Sequence, residues 1–582
     1  MNLTQSQHDI ITAPLDTRFF LSGPSGSGKT TVGVERMRFL LEQGVPAESI
    51  LVLTPQRTLQ EPYKALLQSP AIGAGGEVTL ATVGGLARRM VDLFWSLAAE
   101  PAGFAHADQP PVFLTLETAQ YYMSHVVRPL LDEGYFESLT INRNRLYSQI
   151  IDNLNKAAVV GFPHSQIGER LDKAWMGDPS QRRIYADAQD CANRFRQYCL
   201  DHNLLDFSLQ LEIFWEHLWG DSIVHDYLTR TYRHLIYDNV EEDGARAHDI
   251  IREWLPDLDS ALLIYDENAG YRRFLGADPE TGFRLSTFCD TQTFLAESFV
   301  TSAGVQNLSS SLASVIDPSI APPPEGIDEL DEVLQYADTH YYPELLDWLT
   351  DEIATLLEEG IPPSEIVVLA PYLSDALRFS LMHRLEARNI PVRSHRPSRS
   401  LRDEPATQSL LTLAALAHPQ WGIRPSEFDV AYALMQAIDG MDLIRANLLT
   451  KIVYRASGQD LSPFDGIKPE VQERITYVFG AHYTELRDWL LAYREQAEVP
   501  PFDHFLRKLF GEILSQPGFG FHRDLDAARV AASLIESVKK FRWAMASSEA
   551  DALTLGREYI AMLNEGVIAA QYLGAWNMES ED

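Results

Sequence analysis

The stretch TRFFLSGPSGSGKTTVGVERM, residues 17–37, decides how the chain folds. Its apolar opening reads as a buried strand and its close as a helix. Between them, Gly23-Pro24-Ser25-Gly26-Ser27-Gly28-Lys29-Thr30 satisfies GxxxxGK[ST], and Thr31 completes the run. Glycines at those spacings let the backbone curl until several N–H groups face one point, and the following helix adds its positive end. Such a cradle takes the phosphates of a nucleotide. Lys29 is placed to bridge the β and γ phosphates, and the Thr30 hydroxyl to ligate Mg2+. Upstream, LTQSQHDII puts Gln7 before the loop strand, where a two-sided amide can read adenine.

Outward from this loop, ILVLTP (50–55), EVTLAT (77–82), HLIYD (234–238) and ALLIYD (261–266) read as strands. Strands alternating with helical periodicity predict a parallel α/β sheet. Residues 113–225 recur at helical spacing instead, so the sheet is interrupted by a helical insertion. The expected order is a first lobe over 1–95 and 229–316, split by a helical block over 96–228. A Pro-rich linker (317–334), a second lobe (335–421), a second helical block (422–565) and a returning second-lobe segment (566–582) follow. LLEQGVPAESILVLTP (40–55) and LLEEGIPPSEIVVLAP (356–371) agree at nine of sixteen positions. Each reads as helix, Gly stop, Pro turn and buried strand, which favours two α/β lobes of one kind.

The 582 residues suffice for roughly three or four domains of about 150 residues. No apolar run reaches the ~18 residues of a membrane span, and the amino terminus lacks the pattern of a secretory leader. Three scattered cysteines fit neither a disulfide framework nor a four-cysteine metal site, so a reducing, cytoplasmic setting is expected. The net charge of −34 argues against a broad basic surface that coats nucleic acid, while leaving room for a narrow basic channel.

Together these pieces resemble the UvrD/Rep/RecB-like superfamily 1 DNA helicases. LTQSQ looks like their adenine-reading motif (Gln7), GPSGSGKTT like their phosphate loop, and Arg36 falls where the family has an Arg near the nucleotide. ILVLTPQR is similar to the next motif, with Thr54 at a DNA-backbone position. VTLATVGGLARRM resembles "TFHGLA", keeping Thr82 but with Gly84 for His. HLIYDNVEED stands at "DExQD", so Asp238 is the expected Mg2+ carboxylate. ALLIYDENAGYRRFLGADP resembles "GDxxQSIYxFRGA", with Phe274 at a base-stacking aromatic. The resemblance implies a P-loop NTPase with two RecA-like lobes and two mostly helical inserted subdomains. It implies ATP and Mg2+ as cofactors, single-stranded DNA as partner, and translocation or unwinding, 3′ to 5′. The family's last motifs do not occur through Asp582, so the second lobe is expected to be incomplete.

The departures cluster on hydrolysis. Asn239 stands where the family's Glu deprotonates water, and an amide cannot take that proton. Glu241 replaces a Gln, and Ala269 replaces a γ-phosphate-sensing Gln. "NYRS" aligns with Phe288-Cys289-Asp290-Thr291, which would set Asp290 at a phosphate-binding Arg; an acid there would repel the γ-phosphate, so either the alignment slips here or the role is lost. Glu241 and Glu242 are candidate substitutes for the missing catalytic carboxylate, against the plainer reading of an acidic turn at a helix start. Two readings follow: an ATP-dependent DNA helicase, or an ATP-binding, hydrolysis-impaired scaffold or subunit of a helicase–nuclease complex.

Overall fold

The computed structural model describes residues 3–70, 75–319, 333–371, 373–394, 400–496, 500–545, 552–564 and 566. Its core is a six-stranded, all-parallel sheet: β1 (Arg18–Gly23), β2 (Ile50–Leu53), β3 (Thr79–Ala81), β4 (His234–Tyr237), β5 (Ser260–Asp266) and β6 (Thr291–Phe294), in the order β3-β2-β4-β5-β1-β6. Parallel strands are covered on both faces, which calls for near-continuous apolar runs. Ile50–Leu53 obeys, each residue being 0% exposed. The sheet confirms the five expected strands and adds β6.

The topology positions the site. All strands point one way, so the loops that leave their carboxyl ends gather along one edge, the edge where open α/β sheets bind ligands. Register sets Gly23 of β1 opposite Asp266 of β5, and Leu263 of β5 opposite Tyr237 of β4. The loop after β1 and the loop after β4 are thus two strand spacings apart, about 10 Å, with the end of β5 between them.

Residues up to Val300 form one compact unit with the helical segment from Ser409 onward; Thr301–Gln408 belongs to a second. In the first unit, the expected helical insertion appears as Leu116–Asp132, Arg143–Val160 and Arg182–Asp201, with shorter helices. The second helical block packs against it. Tyr122 donates its hydroxyl to the Ala544 carbonyl at 2.9 Å, and the Tyr121 ring meets Phe541 edge-on at 5.1 Å.

In the second unit the repeated sequence keeps its local course but not its strand. Helix Lys29–Glu42 stops before Gly44 (φ 82°) and a 3-10 turn at Ala47–Ser49; helix Tyr342–Glu358 stops before Gly360 (φ 96°) and a 3-10 turn at Pro363–Glu365. The strand expected at 366–371 pairs with no other among the described residues, and Leu369 is 89% exposed. A strand without neighbours makes no ladder, whatever its composition. All but the first residue of the returning segment expected at 566–582, and most of the 317–334 linker, lie outside the described residues.

Leu263, fully buried in β5, tests the sheet. Leu263→Ala should cost about 2–5 kcal/mol and lower the denaturant midpoint of the first unfolding transition; an unmoved midpoint would contradict a core position.

Candidate functional site

Strand β1 runs straight into the phosphate-loop sequence. Gly26 (φ 78°) and Gly28 (φ 79°) take the left-handed backbone that glycine adopts without penalty, and α2 (Lys29–Glu42) begins at once. Ser27 is fully buried, its hydroxyl donating to the Pro24 carbonyl at 2.9 Å; Ser25 is exposed. A short helix, α1 (Gln5–Ile11), braces the curl from below. Gln7, 3% exposed, accepts the Thr4 N–H at 2.9 Å and donates to the Ser27 carbonyl at 3.0 Å. Its amide therefore supports the loop with both ends.

Lys29 is folded onto its own loop. Its ammonium donates to the carbonyls of Gly23 (2.9 Å) and Pro24 (2.6 Å), to Ser27 Oγ (3.3 Å) and to Asp266 Oδ1 (2.9 Å), and the side chain is 7% exposed. The lysine is held at the strand ends by the carboxylate of β5.

Asp238, one residue past β4, is 1% exposed. Its Oδ2 accepts the Tyr63 hydroxyl at 2.8 Å and its Oδ1 the Asn239 N–H at 3.0 Å; the Thr30 side chain is hydrogen-bonded to the same carboxylate. Burial pushes its pKa up, while these donors and the nearby Lys29 charge pull it back. Lys29, Thr30 and Asp238 thus converge as expected from the sequence. A curled loop of N–H groups, a cation, a hydroxyl and a buried carboxylate is the donor set that a magnesium–triphosphate requires.

The acidic turn beyond Asp238 divides its work. Asn239 sits in the left-handed region (φ 58°), which asparagine tolerates better than most residues, and its Nδ2 donates to Glu241 Oε1 at 3.3 Å. Glu241 is 0% exposed and its Oε2 accepts the Asp266 N–H at 2.9 Å. Burial, reinforced by the Asp266 charge, raises its carboxyl to about 7. Glu242 accepts the backbone N–H groups of Gly270 (3.1 Å), Tyr271 (2.9 Å) and Arg272 (3.0 Å). It clamps the turn Tyr271–Leu275 and has no oxygen turned to the phosphate loop in these bonds. On that turn Phe274 is 71% exposed and Tyr271 80%, so neither ring is part of the core.

Several sequence expectations change here. Arg36 gives its terminal nitrogens to the carbonyls of Ile11 (2.9 Å), Ala13 (2.6 Å) and Pro14 (2.8 Å), tying α2 to the end of α1. Burial lowers its pKa to about 10. Thr54 is 0% exposed, with its hydroxyl donating to the Gln56 carbonyl at 2.8 Å. Thr82 caps helix Val83–Leu93, accepting the Gly85 N–H at 3.0 Å. Gly84 replaces the expected His because Phe207 occupies that space: a Cβ would lie 2.8 Å from its ring.

Asp290 is not beside the phosphate loop. It accepts the Arg18 N–H at 2.9 Å, at the opposite end of β1. The segment that does reach the loop comes after β6 and escaped the sequence reading. Ser298 Oγ donates to the Ser25 carbonyl at 2.9 Å, the Phe299 N–H to the Gly26 carbonyl at 2.9 Å, and Val300 packs where a Gly26 Cβ would be, 2.2 Å away. Phe299 is 56% exposed. The carboxyl end of the strand TQTF, not its start, is the end that meets the phosphate loop.

Residues 3–288 match the family model of the UvrD/REP helicase N-terminal domain. A comparison with curated proteins found no match.

Two measurements probe this network. Asp266→Asn removes the negative charge that competes for Lys29 and should tighten ATP binding several-fold, on the order of 1 kcal/mol; weaker binding would show that Asp266 serves the ligand directly. Glu241 has a folded pKa above its ordinary value, so the folded state binds the extra proton, and its contribution to stability falls as pH rises from about 4.5 through about 7. Glu241→Gln should therefore flatten the drop in melting temperature between pH 5 and pH 7.5; an identical pH slope would refute the shift.

Proposed function

Residues 3–288 belong to the UvrD/REP helicase N-terminal domain family, whose members are ATP-dependent helicases, and on that premise we propose that this chain binds ATP with Mg2+ at the Lys29–Asp238 site to act on single-stranded DNA. The observation that carries the reading is the meeting of Lys29 and Thr30, from one strand end, with the buried Asp238 of another.

The residues divide the task by chemistry. The backbone N–H groups between Gly23 and Thr31 and the start of α2 receive the phosphates, and Lys29 exchanges Asp266 for them. Thr30 and Asp238 hold the metal; when bound, Mg2+ supplies positive charge to an edge crowded by Asp238, Glu241 and Asp266. Gln7 and Arg36 act one step back, by bracing the loop and its helix. Phe299, half-exposed beside the loop, is the aromatic available to the adenine. Phe274 and Tyr271 offer an exposed ledge for bases, each stack being worth about 1–3 kcal/mol. Thr54 and Thr82 shape the strand ends below that ledge. Translocation from 3′ to 5′ is the sense the family resemblance implies.

A second reading has its own observation. Asn239 cannot accept a proton, and a general base supplies about 10²–10⁴-fold in rate. Glu241, two positions on, has its carboxyl at about 7, but both its oxygens are hydrogen-bonded. That favours slow turnover, as in a nucleotide-gripping subunit that works beside an active helicase or nuclease.

ATP binding by calorimetry and ATP turnover with and without single-stranded DNA separate these outcomes. Binding should fall at least tenfold in Lys29→Ala. A rate that rises by orders of magnitude with DNA identifies a motor, and tight binding without turnover identifies the subunit. Absence of affinity for any purine triphosphate would overturn both.

A further inference from the structure

One buried side chain at this site belongs to no motif. Tyr63 lies in the helix Glu61–Gln68, which follows β2, and is 0% exposed. A buried phenol needs a partner for its hydroxyl. Its partner is Asp238 Oδ2, at 2.8 Å, reached across α2. The passage exists because residue 33 is glycine: a Cβ there would stand 2.3 Å from the Tyr63 oxygen and 2.9 Å from Ile264 Cδ1. Gly33 and Tyr63 are therefore one device, a gap in the first turns of α2 and the group that fills it.

The consequence falls on Asp238. Without the phenol, its remaining partners would be the Asn239 N–H at Oδ1 and the Thr30 side chain of the phosphate loop. Bonding Oδ2 to a hydroxyl carried by another helix fixes the plane of the group, and with it the direction of the lone pairs that face Thr30. The phenol stays protonated throughout the working range, since burial drives its pKa well above the ordinary value.

The geometry points to Tyr63 as a positioning residue for the metal-holding carboxylate, with Gly33 as the opening that admits it; this rests on the assignment of Asp238 to Mg2+ above. Tyr63, 0% exposed, acts through Asp238 alone. Its effect should therefore appear in the magnesium dependence of nucleotide binding and not in binding as such.

The test titrates MgCl2 against the full chain with a fluorescent ATP analogue, and repeats the nucleotide titration in EDTA. Tyr63→Phe keeps the ring and removes the hydroxyl. The half-saturating Mg2+ concentration should rise about tenfold, the usual effect of losing a group that orients a metal ligand, with affinity in EDTA unchanged. Gly33→Ala, which displaces the hydroxyl without removing it, should do the same, and the double variant should be no worse than either. A folded Tyr63→Phe variant with wild-type magnesium dependence overturns the proposal; if that variant melts below the assay temperature, the same result in folded Gly33→Ala does so. A wild-type chain that binds no nucleotide with or without magnesium instead removes the assignment of Asp238, which distinguishes the two failures.

Discussion

A carboxylate that is almost wholly out of water has to be met by donors or give up its charge. Asp238 is met from three directions: by its own chain at Asn239, by Thr30 of the phosphate loop and by Tyr63 of the helix after β2. Satisfying that one group draws β1, β2 and β4 to a common edge. The parallel order of the sheet makes this possible, and the burial of Asp238 makes it obligatory.

The same edge carries an excess of acid. Asp238, Glu241 and Asp266 stand close together, and Lys29 is the cation that the carboxylate of Asp266 holds among them. The arrangement is tolerable because each carboxylate accepts N–H or O–H groups, and because Glu241 retains its proton more readily than an exposed acid would. It also makes the edge receptive to added positive charge. A divalent cation would relieve repulsion that the protein alone only partly offsets.

How much of this was legible in the sequence follows from how local each signal is. The phosphate loop, its flanking strand and helix, and the Asp238 strand are specified within a few residues, and the structure bears them out. The partners of Gln7 are not legible because an amide's hydrogen bonds are set by tertiary neighbours, here Thr4 and Ser27. Arg36 and Thr54 keep their places in the chain, but burial decides what they touch. At Asp290 the slipped alignment is the alternative that holds, because the two ends of a strand differ by only a few residues in sequence, yet by the whole length of the strand in space. The unpaired 366–371 segment makes the same point: composition can favour a strand but cannot supply its neighbours. Tyr63 was invisible because nothing in EPYKALLQ indicates that its ring would cross a glycine thirty positions earlier.

The short turn Val240–Glu242 carries two carboxylates in succession that serve different clients, Glu241 at the end of β5 and Glu242 at the amides under the Tyr271–Phe274 ledge. Two successive residues of one 3-10 turn thus tie the end of β5 and the amides beneath the exposed aromatics to the same short piece of backbone.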